Sequence, residues 1–228
     1  MTILAEPGPD GAPMNAPASK TSVARQYLAA LANHGDSPAA VLWPKGRQDL
    51  RFHALTRHLP RGDFSLLDYG CGLAHLRAFL ETRFERFSYT GADMIAEFVH
   101  LARAKYPGSQ FLLVDRPQGL GSDYDHILLS GVFNMLYSDN EEQHRQEVWS
   151  SLEFLFARAR ASIAVNFMTD HVDFRQPGAF HLDPRELLAF VRTRLSRRFF
   201  LDQSYMPFEY TVVVWKDQSI RRPDMVFG

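Results

Sequence analysis

Leu66-Leu67-Asp68-Tyr69-Gly70-Cys71-Gly72-Leu73-Ala74-His75-Leu76 is the stretch from which the fold can be read. Its opening residues are apolar without alternation, as in a strand buried on both faces. The glycines then allow a sharp turn and a close backbone approach to a ligand. Leu73, Leu76, Phe79 and Leu80 share one helical face, so the turn leads into a helix. In an open parallel sheet, such a loop lies beyond the carboxyl ends of the strands, where ligands bind. A glycine pair alone also serves an ordinary tight turn, so the rest of the chain must decide.

Two spacings narrow the reading. A dinucleotide fingerprint places a small residue at position 75, which is His75, whereas a shorter G-x-G-x-G pattern places it at position 74, which is Ala74. The next strand, Ser88-Tyr89-Thr90-Gly91-Ala92-Asp93, ends in an acid 21 residues after Gly72. There a carboxylate can accept hydrogen bonds from ribose hydroxyls, cap the helix that follows, or do both. Further apolar runs near 110–114, 126–130 and 161–167 read as strands, and helical spacings separate them (Ile95, Phe98, Val99, Ala102, Tyr106; Val148, Leu152, Leu155, Phe156). Asp183-Pro184-Arg185-Glu186 signals a helix start, with Asp as cap and Glu as its third residue. Two strand-like segments, about 197–205 and 209–215, follow with no room for a helix between them. The expected fold is α/β: a doubly wound, mostly parallel seven-stranded sheet with a C-terminal antiparallel hairpin.

These motifs together resemble the class I S-adenosylmethionine-dependent methyltransferases, over about Phe64 to Lys216. Residues 66–76 resemble the family's first motif, Asp93 its ribose-binding acid, and Phe111–Asp115 its adenine-contacting segment. Tyr124–Asn134 resembles the fourth-strand motif beside the transferable methyl, and the terminal hairpin is typical of the family. The departure is Ala74, where the family usually has glycine. The resemblance implies a Rossmann-like methyltransferase fold with S-adenosylmethionine as cofactor and S-adenosylhomocysteine as product. It implies cofactor contacts from Asp68, Gly70, Cys71, Gly72, Asp93, Met94, Asp115, Arg116, Ser130 and Gly131.

Composition sets the surrounding limits. The 228 residues, 46% of them apolar and 22% charged, suit a globular chain and exclude wholesale disorder. Residues 1–20, with four prolines, read as a flexible tail, 21–63 as a helical cover, and 64–228 as the cofactor-binding domain. A formal charge of −1 argues against general nucleic-acid binding, which rests on cationic neutralisation of phosphates. The arginines at 158, 160 and 192–198 read as helix-end complements to the dipole. No apolar run is long enough to span a membrane, and the N-terminus lacks the pattern of a secretory signal, so a cytoplasmic location is expected. Cys71, the one cysteine, reads as a small residue within the cofactor loop, where alkylation is expected to block binding.

A methyl group carried on a sulfonium is already activated, so alignment is the protein's main task. A hydroxyl nucleophile also benefits from a general base, most often His. His171, in Asn166–Asp173 after the fifth strand, is the candidate base. Asn134 and Tyr137, after the fourth, are the other candidates for contact with the reacting groups. His171, Asp173 and His181 lack a spacing that forces them to converge on a metal, so no metal site is expected. The partner expected is a small-molecule acceptor, reached without nucleic acid or membrane. Alternatives are a non-catalytic, partner-binding relative and an enzyme acting on RNA or protein. The Asn-Pro-Pro-Tyr type of motif is absent after the fourth strand.

Overall fold

The computed structural model describes residues 19–43 and 47–218. Nearly all of the expected tail, residues 1–18, lies outside them. Two helices come first, α1 (Lys20–His34) and α2 (Gln48–Thr56). Then β1 (Ser65–Tyr69), α3 (His75–Glu81), β2 (Ser88–Asp93), α4 (Ala96–Lys105), β3 (Gln110–Leu113), β4 (Tyr124–Leu129), α5 (Glu141–Arg158) and β5 (Ala159–Thr169) alternate. The chain ends with a short β6 (His181–Leu182), α6 (Pro184–Phe190), β7 (Phe199–Met206) and β8 (Glu209–Trp215).

The sheet runs β3-β2-β1-β4-β5-β8-β7, with β6 paired to β5 beyond the end of β4. Among the described residues it thus holds the seven expected strands plus this two-residue eighth. Strands β1 to β5 are mutually parallel, whereas β8 is antiparallel to both β5 and β7. The apolar runs lack alternation because both faces are covered. Leu67, Ile127, Ile163 and Val212 pack with Leu152 and Leu155 of α5 and Leu187 of α6. Their neighbours Leu66, Leu128, Ala164 and Val213 pack on the other face with Phe52 and Leu55 of α2, Leu76 and Leu80 of α3 and Val99 of α4. Each such leucine, fully buried, contributes about 1.5–3 kcal/mol.

Local signals hold with two adjustments. Asp183 caps α6 by accepting from the Arg185 N–H, but Glu186 does not complete a capping box and pairs with Arg145 at 2.9 Å instead. Asp93 does not sit at the cap position of α4, which is Ile95, yet it accepts the Ile95 N–H at 2.9 Å. The strand order reverses between the parallel neighbours β1 and β4, so their carboxyl ends open a crevice of the kind in which α/β sheets bind ligands.

Candidate active site

The crevice is a cleft of about 1830 Å³. Pockets for one small ligand measure about 300–1,000 Å³, so this one has room for two. Every site residue expected from the sequence lines it: Asp68, Gly70, Cys71, Gly72, Asp93, Met94, Asp115, Arg116, Ser130, Gly131, Asn134, Tyr137 and His171.

The half over β1–β3 is built by the glycine loop. Gly70 has φ +77°, and a Cβ there would stand 2.6 Å from Val132 Cγ2, so only glycine fits. The Gly72 N–H donates to Asp93 Oδ2 at 2.8 Å, which pins the loop to the end of β2. Ala74 takes the left-handed conformation, φ 58°, where a glycine would be unstrained. Asp68 is buried; Tyr89 donates to its Oδ2 at 2.6 Å, while Oδ1 is buried without a protein partner. Burial pushes its pKa up to about 7; the Tyr89 bond opposes this and Asp93 adds to it. Burial also raises Asp93, against the opposing backbone N–H groups.

The Cys71 sulfur turns beneath the loop, 2.8 Å from where a Cβ on Gly91 would stand, and burial pushes the thiol well above its usual pKa. The thiolate that an alkylating reagent attacks is therefore suppressed. Asp115 and Arg116 are exposed at the rim. Lys20 of α1 reaches the Asp115 carbonyl at 3.0 Å, and Ser19 bridges to Ser138, so the start of α1 is tied to both sides of the cleft mouth. Tyr27 of α1 also lines the cleft and packs edge-on against Phe98 at 5.9 Å. Burial pushes its hydroxyl up to about 12.

The half over β4, β5 and β8 is assembled from distant segments. Gly131, φ +75°, donates its N–H to the buried Asn166 Oδ1 at 2.8 Å. Asn134 Oδ1 is buried without a protein partner. Tyr137 holds its own turn: its hydroxyl donates to the Val132 carbonyl at 2.6 Å and its N–H to His144 Nδ1 at 3.2 Å. Burial lifts the Tyr137 hydroxyl well above its usual pKa. His171 stands at the rim, its side chain 57% exposed and 3.7 Å from Asp170.

His181 is engaged at both ring nitrogens, Nδ1 with the Thr169 carbonyl at 2.8 Å and Nε2 accepting from the Gln176 N–H. His171, Asp173 and His181 do not form a metal cluster. Instead Asp170, His171 and Asp183 bring potential ligand atoms within 4.8 Å of one another, with Asp183 already engaged by Arg185.

The sequence reading missed Arg51 and Glu209. Both are buried, and both line the cleft. Arg51 Nε donates to Glu209 Oε1 at 2.8 Å and Nη2 to Oε2, and the guanidinium stacks 3.9 Å from the Trp43 ring centroid. The signal available in sequence was slight: Arg51 shares a helical face with Leu55, beside Phe52 and Leu59.

No family model matches the chain. A protein of Mycobacterium tuberculosis (strain ATCC 25618 / H37Rv) named "Putative methyltransferase Rv1506c" is 27% identical over 158 residues, 67% of this chain and 93% of that protein. The S-adenosylhomocysteine-bound magnesium protoporphyrin IX methyltransferase of Synechocystis PCC 6803 superposes with a TM-score of 0.61 at 13% identity, over 87% of this chain and 96% of its own. The Burkholderia thailandensis 1,6-didemethyltoxoflavin-N1-methyltransferase, bound to 1,6-didemethyltoxoflavin and S-adenosylhomocysteine, gives 0.61 at 16% identity, over 91% and 93%. At these identities the solved structures establish a shared fold.

Proposed function

We propose that this chain, a methyltransferase of the class I S-adenosylmethionine-dependent type, transfers methyl to an oxygen or nitrogen of a small-molecule acceptor by in-line displacement. The observation that carries this reading is the convergence of the glycine loop, Asp93 and the loop after β4 on one cleft with volume for two ligands. No helix among the described residues is long and apolar enough to cross a membrane.

The residues present fit the cofactor. Asp68 Oδ1 and Asn134 Oδ1 are buried acceptors with no protein donor, suited to an ammonium group. Gly70 leaves space that a Cβ would fill. Asp93 stands at the end of β2 for ribose hydroxyls, and Met94, Asp115 and Arg116 border the place of the base. Ser130 and Gly131 close the floor from β4. S-adenosylmethionine supplies a methyl already activated by its sulfonium.

The protein's own residues then bind, align and exclude water. Alignment of this kind is worth about 7–11 kcal/mol in favourable systems. We assign Asn134 to contact with the reacting groups and Tyr137 to holding the turn that carries it. Where the nucleophile is a hydroxyl, His171 is the base candidate, placed at the rim beside Asp170. We assign α1 the role of a cover, from its ties to Asp115 and Ser138.

Thermal denaturation with S-adenosylmethionine, S-adenosylhomocysteine and NAD tests the reading. Saturation at 100 times the dissociation constant stabilises by about 2.7 kcal/mol, expected for the first two alone. A response to NAD instead would overturn it.

A further inference from the structure

Arg51 and Glu209 form a buried ion pair that the cofactor reading leaves without a task. Replacing such a pair by apolar side chains is often neutral or stabilising, so stability does not explain it. Glu209 accepts three hydrogen bonds: Arg51 Nε and the Tyr205 hydroxyl donate to Oε1 at 2.8 and 2.9 Å, and Arg51 Nη2 donates to Oε2. With Trp43 stacked on it, the guanidinium is fixed in one plane. Its Nε and Nη2 are used, and Nη1 is directed at Gly131, where a Cβ would stand 2.7 Å away. Beside it, the Trp43 indole Nε1–H is buried with no hydrogen-bond partner.

The stacked Arg51 and Trp43 side chains therefore line one wall of the cleft. That wall belongs to the half over β4, β5 and β8, since Arg51 spans from Gly131 after β4 to Glu209 on β8. The glycine loop, Asp93 and Asp115 occupy the other half. Because Glu209 balances the charge of Arg51, the pair does not attract anions at large; it offers directed donors, which suit a carboxylate's fixed oxygens.

We propose that Arg51 and Trp43 form a carboxylate-binding subsite in the cleft over β4, β5 and β8, selecting a small-molecule acceptor that bears a carboxylate. This rests on the methyltransferase reading. The rival source of the same chemistry is the cofactor's own carboxylate.

The test uses the full chain loaded with S-adenosylhomocysteine. Benzoate, 4-hydroxybenzoate and indole-3-acetate are compared with their carboxamides by thermal shift and calorimetry. Because Arg51→Gln alone strands a buried Glu209 carboxylate, the variant used is Arg51→Gln with Glu209→Gln, alongside Trp43→Phe. At least one carboxylate is expected to bind about tenfold or more tightly than its amide. Both variants should reduce that preference and shift the affinity for S-adenosylhomocysteine by less than about threefold.

No discrimination by the wild-type protein overturns the proposal. So does a double variant that loses about tenfold in affinity for S-adenosylhomocysteine while still binding 5′-methylthioadenosine, which lacks the carboxylate, as before. A wild-type chain that does not bind S-adenosylhomocysteine at all overturns the methyltransferase reading itself, a separable result.

Discussion

At the amino ends of the central strands polar groups largely satisfy one another, and at the carboxyl ends they do not. At the amino end, Asp125 of β4 accepts from the Ser65 N–H, the Ser65 hydroxyl and Arg160. Burial raises its pKa, but the Arg160 and Ser65 bonds outweigh this and hold it at about 2. His58 Nε2 and His126 Nδ1 share the buried Ser162 hydroxyl at 2.9 and 2.7 Å, although His58 Nδ1 is buried without a partner. At the carboxyl end, Asp68 Oδ1, Asn134 Oδ1 and Trp43 Nε1 are buried without partners, and Gly70, Gly131 and Ala74 hold left-handed backbone. Unpaired buried polar atoms each cost about 1–3 kcal/mol, and Ala74, unlike the glycines, adds backbone strain. The sheet is thus held firmly at one end and left unsatisfied at the end where a ligand can complete it.

The sharpest way to break this comparison is Gly70→Ala. The added methyl meets Val132 in a backbone conformation that alanine resists. Calorimetry is expected to find no binding of S-adenosylhomocysteine, and denaturant unfolding a loss of about 2 kcal/mol.

Asp68→Asn separates function from stability. A carboxyl raised from 3.8 to about 7 on folding stays protonated while the unfolded chain ionises, so its penalty grows as pH rises through that window. Above pH 7 the variant without ligand should be more stable by about 2 kcal/mol, yet bind the cofactor about tenfold more weakly.

The amino end should show the opposite pH sense. Burial holds His58 neutral in the fold, its pKa lowered from 6.5 to about 3, with His126 adding to the effect. Its contribution is complete above pH 6.5 and is lost as pH falls toward 3. The slope is at most about 1.4 kcal/mol per pH unit, and His58→Leu should flatten it in acid unfolding curves. The smallest effect is expected of Ala74→Gly, which relieves the left-handed strain at a cost in chain entropy. The net gain should be about 0.5 kcal/mol in denaturant unfolding.

What was legible in the sequence follows the same division. The glycine loop, the strand-end acids and the hairpin are local patterns, and spacing along the chain is enough to order them. Asp93 was open between cap and ligand contact; in the fold it holds both Gly72 and Ile95. The half over β4, β5 and β8 is not local. Arg51 and Glu209, separated by 158 residues, meet only because α2 packs over β5 and β8. Histidines drew attention by type, yet His181 is consumed by its own loop and His171 stands exposed at the rim. Side-chain partnership across a sheet leaves no periodic trace.

The central claim is that the unsatisfied carboxyl end awaits a cofactor, and calorimetric titration of S-adenosylhomocysteine into the wild-type and Gly70→Ala proteins tests it most directly. The account predicts saturable one-to-one binding by the wild type, lost in the variant. A wild-type protein that gives no heat with either S-adenosylhomocysteine or S-adenosylmethionine, or a variant that binds as well as the wild type, would contradict it.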